Sequence, residues 1–186
     1  MVKAALLLNS GGLDTLVTAK ELIDQGWELH SLYIYLGQLN NESAKISAKE
    51  IADKYCVAHE EIEVTGNPYL TEEHFIHVPF QAINTCLLGA MYARSRKIDY
   101  VATGNKHDAM GKEFYGLLTN LLSISKLNAP VMYLSPLADI IEIKQVVQKG
   151  LDCGLVLEEM KKTVSCNQKT PCWKCHKCIS RIEAGI

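Results

Sequence analysis

A short polar, glycine-rich stretch follows the first apolar run of the chain. It consists of Ser10, Gly11, Gly12, Leu13, Asp14 and Thr15. Adjacent glycines let a backbone approach an anion closely, and the N–H groups that begin a helix favour a phosphate. The hydroxyls of Ser10 and Thr15 add donors, and the carboxylate of Asp14 suits Mg²⁺, which would bridge to phosphate oxygens. The stretch therefore predicts a site for a phosphorylated ligand.

Two alternatives bear on this interpretation. The same stretch fits a tight turn in which Asp14 caps a helix without binding anything. It lacks the lysine of G-x-x-x-x-G-K-[ST] and the spacing of G-x-G-x-x-G. The sequence therefore gives no support for a Walker-type NTPase or a dinucleotide site.

A second group of reactive residues lies near the end of the chain. Four of the seven cysteines are separated by gaps of five, two and two residues: Cys166, Cys172, Cys175 and Cys178. Four thiolates at such spacing can surround one Zn²⁺ in a closed, structural site. The C-x₂-C-x₂-C spacing also begins some iron–sulfur motifs, which remain the alternative. We expect zinc.

Alternating strands and helices would position these groups. Apolar runs predict strands at Val2 to Leu8, Trp27 to Tyr35, Val57 to Val64, Ile98 to Thr103 and Val131 to Leu134. Helical periodicity predicts helices at Asp14 to Gln25, Glu42 to Tyr55, Gln81 to Lys97, Phe114 to Lys126 and, as the last one, Ile140 to Lys149. This alternation predicts an α/β fold with a mainly parallel sheet flanked by helices.

The carboxyl ends of parallel strands form the expected rim of the site, which places it at the loops after Leu8, Tyr35 and Thr103. The fourth strand is followed by Gly104 and then by His107 and Asp108, for which a substrate role and a solvated loop are both open. A loop in the position of a lid is predicted from Thr65 to Pro79. Its two histidines, His74 and His77, are too few for a metal site.

Composition sets the remaining limits. With 186 residues and 48% hydrophobic side chains, residues 1–186 suit a single domain that includes a zinc-binding segment at 163–186. The net charge of −2 supplies no general basic field, so tight nucleic-acid binding is not expected. No apolar stretch approaches the roughly 18 residues of a membrane span. We expect a cytoplasmic protein.

The string SGGLDT resembles the SGGxD[ST] loop of PP-loop enzymes, the N-type ATP pyrophosphatases with an adenine nucleotide alpha hydrolase-like fold. Within that class the chain is similar to 7-cyano-7-deazaguanine synthases. The similar stretches are LLLNSGGLDT, YLGQLNNESAKISAKEIA, VPFQAINTCLLGAMYA, SPLADIIEIKQVV and TVSCNQKTPCWKCHKCISR. They follow the family's order and cover most of the chain.

The resemblance implies an ATP-dependent ligase of queuosine and deazapurine biosynthesis. It would use ATP, Mg²⁺ and Zn²⁺ to convert a small substrate, 7-carboxy-7-deazaguanine, and ammonia into 7-cyano-7-deazaguanine. Asp14 and Lys144 would be catalytic, with Lys144 beside the departing pyrophosphate. The adenine would lie at the second strand end, and the nucleotide-binding set outside the loop would be Tyr35, Gly37, Gln38 and Gly104. Arg181 matches a recurrent family arginine, although a surface role fits it equally well. A homo-oligomer is compatible with the family.

Two departures from the family pattern leave alternatives open. The family's Arg-His pair is Leu39 and Asn40 here, and its Arg-Asn pair is Gln81 and Ala82. A diverged enzyme that stops at the amide, or that adenylates another substrate such as a tRNA base, therefore remains an alternative. So does a nucleotide-binding module without turnover.

Overall fold

The computed structural model describes residues 3–37, 41–65, 81–106, 112–123, 131–166, 168 and 170–186. Within these residues the strands are β1 (Lys3–Leu8), β2 (Trp27–Tyr35), β3 (Ala58–Glu63), β4 (Tyr100–Ala102) and β5 (Met132–Leu134). The helices are α1 (Leu13–Asp24), α2 (Asn41–Tyr55), α3 (Gln81–Ser95), α4 (Lys112–Ser123), α5 (Ile143–Asp152), α6 (Leu157–Lys162) and α7 (His176–Glu183).

The five strands form one sheet in the order β3-β2-β1-β4-β5, and every neighbouring pair is parallel. The predicted α/β fold with a parallel sheet is confirmed. From β1 the chain passes through α1 to β2 on one side, whereas β4 pairs with β1 on the other. The carboxyl ends of β1 and β4 therefore flank a topological switch point, where ligands of such sheets bind.

Apolar side chains of β1 alternate between the two faces of the sheet. Ala5 and Leu7 pack in one core with residues of α1, α5 and α6, whereas Leu6 packs in another core with Leu32 and Ala90. Both faces of this part of the sheet are thus covered, as parallel sheets require. The first core carries α5 and α6 against α1 and so brings the end of the chain towards the β1–α1 loop.

The C-terminal third differs most from the sequence prediction. Helix α5 begins at Ile143, three residues later than predicted, where the Gln145 side chain accepts a hydrogen bond from the Glu142 N–H at 3.0 Å. The prediction of no later helix is wrong, since α6 and α7 follow. A helix of six residues and one that begins inside a cysteine cluster give too short a periodic signal to detect.

No helix among the described residues has the length and apolar character that crossing a membrane requires. Gln38, Leu39, Asn40, His107, Asp108 and nearly all of the predicted lid, with His74 and His77, lie outside the described residues.

Candidate functional site

Residues 10–15, the glycine-rich stretch predicted to bind a nucleotide and called the nucleotide-binding loop below, pack directly against the backbone of α2. Gly11 has φ of +72°, and a Cβ atom there would lie 2.3 Å from the carbonyl oxygen of Ala44 and 2.9 Å from the nitrogen of Ala48. Both neighbours are backbone atoms that cannot turn away. Glycine is therefore required at position 11 for space as well as for conformation.

Both polar groups of Gly11 are held by hydrogen bonds. Its N–H donates to the Asn9 Oδ1 at 3.1 Å, and its carbonyl accepts from the Ser47 hydroxyl at 2.7 Å and the Val164 N–H at 2.9 Å. Asn9 is itself buried and donates to the carbonyl of Ala48 at 2.7 Å. Asn9 is not among the residues predicted from the sequence, where the signal is a polar residue at the end of the apolar run LLLN; a buried amide needs a defined partner.

The groups able to meet a phosphate lie at the start of α1. Ser10 is exposed, and its Oγ lies 3.0 Å from the Oγ1 of the buried Thr15. Helix α1 begins at Leu13, so the first N–H groups of the helix have no acceptor within it. Asp14 lies in this first turn and is partly exposed. The loop thus brings hydroxyl groups, a carboxylate and a helix N-terminus together at the carboxyl end of β1.

Gly104, the first glycine after β4, lies against the same turn. A Cβ atom on Gly104 would be 2.7 Å from the carbonyl carbon of Asp14 and 2.8 Å from the nitrogen of Thr15. Two residues predicted to bind the nucleotide, Gly11 and Gly104, thus each lie in close contact with the backbone of a neighbouring helix. Only glycine allows this approach of the β4 loop to α1.

The rest of the β4 loop forms a polar rim. Asn105 donates from its backbone to the Thr103 Oγ1 at 3.3 Å and from its side chain to the Tyr115 hydroxyl at 3.1 Å. Burial raises the pKa of Tyr115, so the phenol stays protonated at neutral pH. Lys106 donates to the carbonyl of Ile141 at 3.0 Å and so joins this rim to the chain just before α5.

Lys144 and Tyr35 occupy different parts of the carboxyl edge. Lys144 is exposed in the first turn of α5, next to the segment that Lys106 holds. Tyr35 ends β2, is partly buried and packs against the core group of Tyr33 and Ala44. Gly37 follows with φ of +93°. The ligand-binding roles of these residues stay predictions.

The four cysteines of the predicted metal site, the cysteine cluster, come together in space. Their Sγ atoms all lie within 4.8 Å of one another, with Cys166–Cys175 and Cys172–Cys178 each 4.0 Å apart. Ligands about 2.3 Å from a tetrahedral Zn²⁺ have sulfurs about 3.8 Å apart. In a four-iron cluster each thiolate binds a different iron, which spreads the sulfurs further. The cluster therefore fits one zinc-sized ion better.

The pKa values of two thiols in this segment, Cys172 and Cys178, are shifted in opposite directions. The N–H of Cys175 donates to the Cys172 Sγ at 3.3 Å, and the N–H groups of Lys174 and Cys175 lower the pKa of Cys172 to about 6. Burial raises the pKa of Cys178 to about 11. Backbone hydrogen bonds thus favour the thiolate of Cys172, whereas burial disfavours that of Cys178, whose deprotonation would depend more on a bound cation.

Residues 163–165, here called the strap, connect α6 to the cysteine cluster and touch the nucleotide-binding loop. Val164 in its centre donates to the Gly11 carbonyl. Arg181 of α7 donates to the strap on both sides of Val164, at 2.9 Å to the Thr163 Oγ1 and 3.0 Å to the Ser165 Oγ. Helix α7 is thus connected to the nucleotide-binding loop through the strap.

The matching family model and the related proteins point to the same family. The family model described as "Queuosine biosynthesis protein QueC" matches residues 71–185. The chain is 25% identical to the 7-cyano-7-deazaguanine synthase of Archaeoglobus fulgidus, over 100% of this chain and 86% of that protein. It is 27% identical to that of Thermoplasma acidophilum, over 97% and 87%. These two alignments include the nucleotide-binding loop, which the family model does not reach.

Among solved structures, the fold is similar to a 4-thiouridine synthetase in complex with RNA and with bound ATP. The TM-score is 0.58 at 18% identity, covering 92% of this chain and 45% of that one. This similarity shows a shared fold and no more. Because the family model spans the greater part of the sequence, and full-length relatives carry the corresponding name, the chain belongs to the family of the queuosine biosynthesis protein QueC.

Proposed function

We propose that this protein is an ATP-dependent carbon–nitrogen ligase that converts 7-carboxy-7-deazaguanine and ammonia into 7-cyano-7-deazaguanine. The observation that carries the proposal is the nucleotide-binding loop, which presents hydroxyls, Asp14 and the start of α1 at the switch point of the sheet. In a chain of this family, such a loop fits the phosphates of ATP. The alternatives, a tRNA-base enzyme or a module without turnover, gain no support from the family.

The reaction consumes two ATP molecules. The carboxylate of the substrate attacks the α-phosphorus of ATP, pyrophosphate leaves, and ammonia then displaces AMP to give the amide and a proton. The amide oxygen attacks the α-phosphorus of a second ATP and releases a second pyrophosphate. Loss of AMP and of both amide protons leaves the nitrile. Neither step needs a covalent nucleophile from the protein.

The chain would contribute position and charge. The first N–H groups of α1 and the hydroxyls of Ser10 and Thr15 would bind phosphate oxygens, and Asp14 would hold Mg²⁺. Lys144, exposed beside the rim, would balance the charge of the departing pyrophosphate. The adenine would lie along the end of β2, at Tyr35, Gly37 and Gln38. Holding both reactants in line supplies much of the rate acceleration.

The cysteine cluster would hold one Zn²⁺. With four thiolate ligands the ion has no open position, so it supplies structure rather than chemistry to the reaction. The packing of α5 and α6 on α1 supports a single domain over residues 1–186. Consumption of ATP in a biosynthetic step fits a cytoplasmic enzyme.

The test is to incubate the purified protein with Mg-ATP, ammonium and 7-carboxy-7-deazaguanine, and to separate the products by chromatography with mass detection. We expect amide and nitrile, with AMP and pyrophosphate formed only when the carboxylate is present. Asp24→Asn is a control, since Asp24 lies at the exposed end of α1 and pairs with Lys20. ADP as the main nucleotide product, or AMP formed regardless of the carboxylate, would contradict the proposal.

A further inference from the structure

We propose that Arg181 is a positioning residue that links the occupancy of the cysteine cluster to the affinity of the nucleotide-binding loop for ATP. The link runs from the metal through Cys178 and Arg181 to the strap, and from the strap to Gly11. The inference rests on the proposed ATP site, although it does not depend on which carboxylate the enzyme uses.

The first step joins the metal to Arg181. Cys178 lies in the first turn of α7, and Arg181 follows three residues later on the same helix face. A metal ion that fixes Cys178 therefore also fixes the rotation and position of α7 at Arg181. The side chain of Arg181 is half-buried; burial lowers its pKa, and negative charge on Cys178 and Asp14 offsets part of that effect.

The second step joins Arg181 to the strap. Besides its bonds to Thr163 and Ser165, its second terminal nitrogen donates to the carbonyls of Met160 at 3.0 Å and Lys161 at 3.1 Å. Four acceptors are thus held by one planar guanidinium. A lysine has one nitrogen on a flexible stem and cannot bond to all four acceptors in this arrangement.

The third step joins the strap to the loop. The Val164 N–H donates to the Gly11 carbonyl at 2.9 Å, and a Cβ on Gly12 would lie 3.4 Å from the Val164 carbonyl oxygen. Displacement of the strap would therefore remove one of the donors to the carbonyl of Gly11. Since Asn9 and Ser47 also hold Gly11, the loop would loosen rather than lose its conformation.

The nucleotide-binding loop would then bind ATP more tightly when Arg181 holds the strap than when the strap is displaced. Coupling through such networks commonly changes affinity by about 3- to 30-fold. Linkage is reciprocal, so ATP must tighten the binding of the metal by the same factor by which the metal tightens the binding of ATP. If Arg181 had only a structural role, its substitution would leave this coupling between zinc and ATP unchanged.

The experiment measures Mg-ATP affinity by calorimetry without carboxylate, so that no turnover occurs. Wild type, Arg181→Lys and Arg181→Met are each compared zinc-loaded and after zinc removal. The control is Arg96→Met, because Arg96 is exposed and pairs with Glu60 away from the loop. We expect zinc removal to weaken ATP binding about tenfold in wild type and Arg96→Met. In Arg181→Met, zinc-loaded protein should already bind ATP weakly, and zinc removal should add little.

A second readout follows zinc transfer to a chromogenic chelator. ATP should slow the transfer in wild type and have no effect in Arg181→Met. Arg181→Lys should resemble Arg181→Met, because restoring charge without the planar fork does not rescue the strap. Should Arg181→Met fail to fold, the wild-type cycle of zinc and ATP and the lysine variant still decide the matter.

Equal ATP affinity of wild type with and without zinc, or zinc-dependent ATP binding that persists unchanged in both Arg181 variants, would overturn the inference. The proposed function is judged separately. Nitrile formation without zinc–ATP coupling would refute the inference alone, whereas coupling without any reaction of 7-carboxy-7-deazaguanine would refute the substrate assignment alone.

Discussion

The nucleotide-binding loop and the cysteine cluster lie side by side, yet different forces hold them. Two buried side chains fix the polar groups of Gly11: Asn9, directly after β1, and Ser47 of α2. In the cluster segment, by contrast, Trp173 and Ile182 are 68% and 54% exposed. These two side chains add little apolar burial, although Ala184 and Ile186 pack on the main core, so we expect metal binding to supply much of the stability of the segment.

This contrast predicts different effects for substitutions in the loop and for loss of metal from the cluster. Packing against α2 shapes the loop, so changes to its chemical groups should remove activity and leave the fold intact. We expect the cluster to gain its stability from a bound ion, so loss of that ion should disturb the C-terminal segment and reach the loop through the strap. Four predictions test this difference, from the largest expected effect to the smallest.

Asp14→Asn should lower the rate of AMP formation by about a hundredfold or more while leaving the fold unchanged. The substitution keeps the shape of the side chain and removes the charge that would hold Mg²⁺. AMP release under saturating ATP measures the activity, and circular dichroism checks the fold. Retention of full activity would show that the loop does not act as assigned.

Gly11→Ala should destabilise the protein by about 3 kcal/mol or more, because strain at positive φ adds to a clash with backbone atoms of α2. Gly26→Ala is the matched control. Its φ is +81°, but no atom lies within 4 Å of the added Cβ, so only conformational strain of about 1–2 kcal/mol applies. Urea unfolding measures both variants. Equal losses would mean that α2 does not confine the loop.

The purified protein should carry about one zinc per chain, and zinc removal should destabilise it by about 2 kcal/mol, or roughly 5 °C in melting temperature. The loss should be local, because the sheet keeps its own cores. Limited proteolysis with mass detection should then cut within residues 163–186 before it cuts elsewhere. A brown sample with iron–sulfur absorbance would show that another metal occupies the cluster.

The sequence predicted the sheet and the cluster well because both leave local signals. The bounds of β2 are those predicted, because glycines at positions 26 and 37 flank the apolar run. The short gaps between Cys172, Cys175 and Cys178 leave few arrangements other than a shared ion. Sequence patterns of this kind can be read without knowledge of the partner elements.

For contacts between distant parts of the chain, no local signal identifies the partner. The roles of Asn9 and Gly104 depend on the backbones of α2 and α1, and the strap contacts Gly11 across more than 150 positions of sequence. Nothing in the local sequence of Val164 indicates its partner. The sequence therefore predicted which residues would carry the chemistry of the site, whereas the structure was needed to find what holds those residues in place.

The smallest expected effect concerns the balance of products. The resemblance to the family implies that its polar pairs are replaced at Leu39 and Asn40 and at Gln81 and Ala82; the last two begin α3 in the structure. An amide is a weaker nucleophile than a carboxylate, so its reaction depends more on being held in line with the α-phosphorus. Weaker polar binding of the substrate should therefore slow the second half-reaction more than the first.

We accordingly expect the amide to accumulate before the nitrile when ATP is limiting, with a lag in nitrile formation of a few turnovers. A time course that counts both products by mass detects the lag. Restoring the family residues with Gln81→Arg and Ala82→Asn should shorten it, while the exposed control Arg96→Met should not. If the nitrile forms without a lag and no amide is detected, other side chains of the site bind the substrate in place of the family's polar pairs, and the chain holds both reactants as firmly as its relatives.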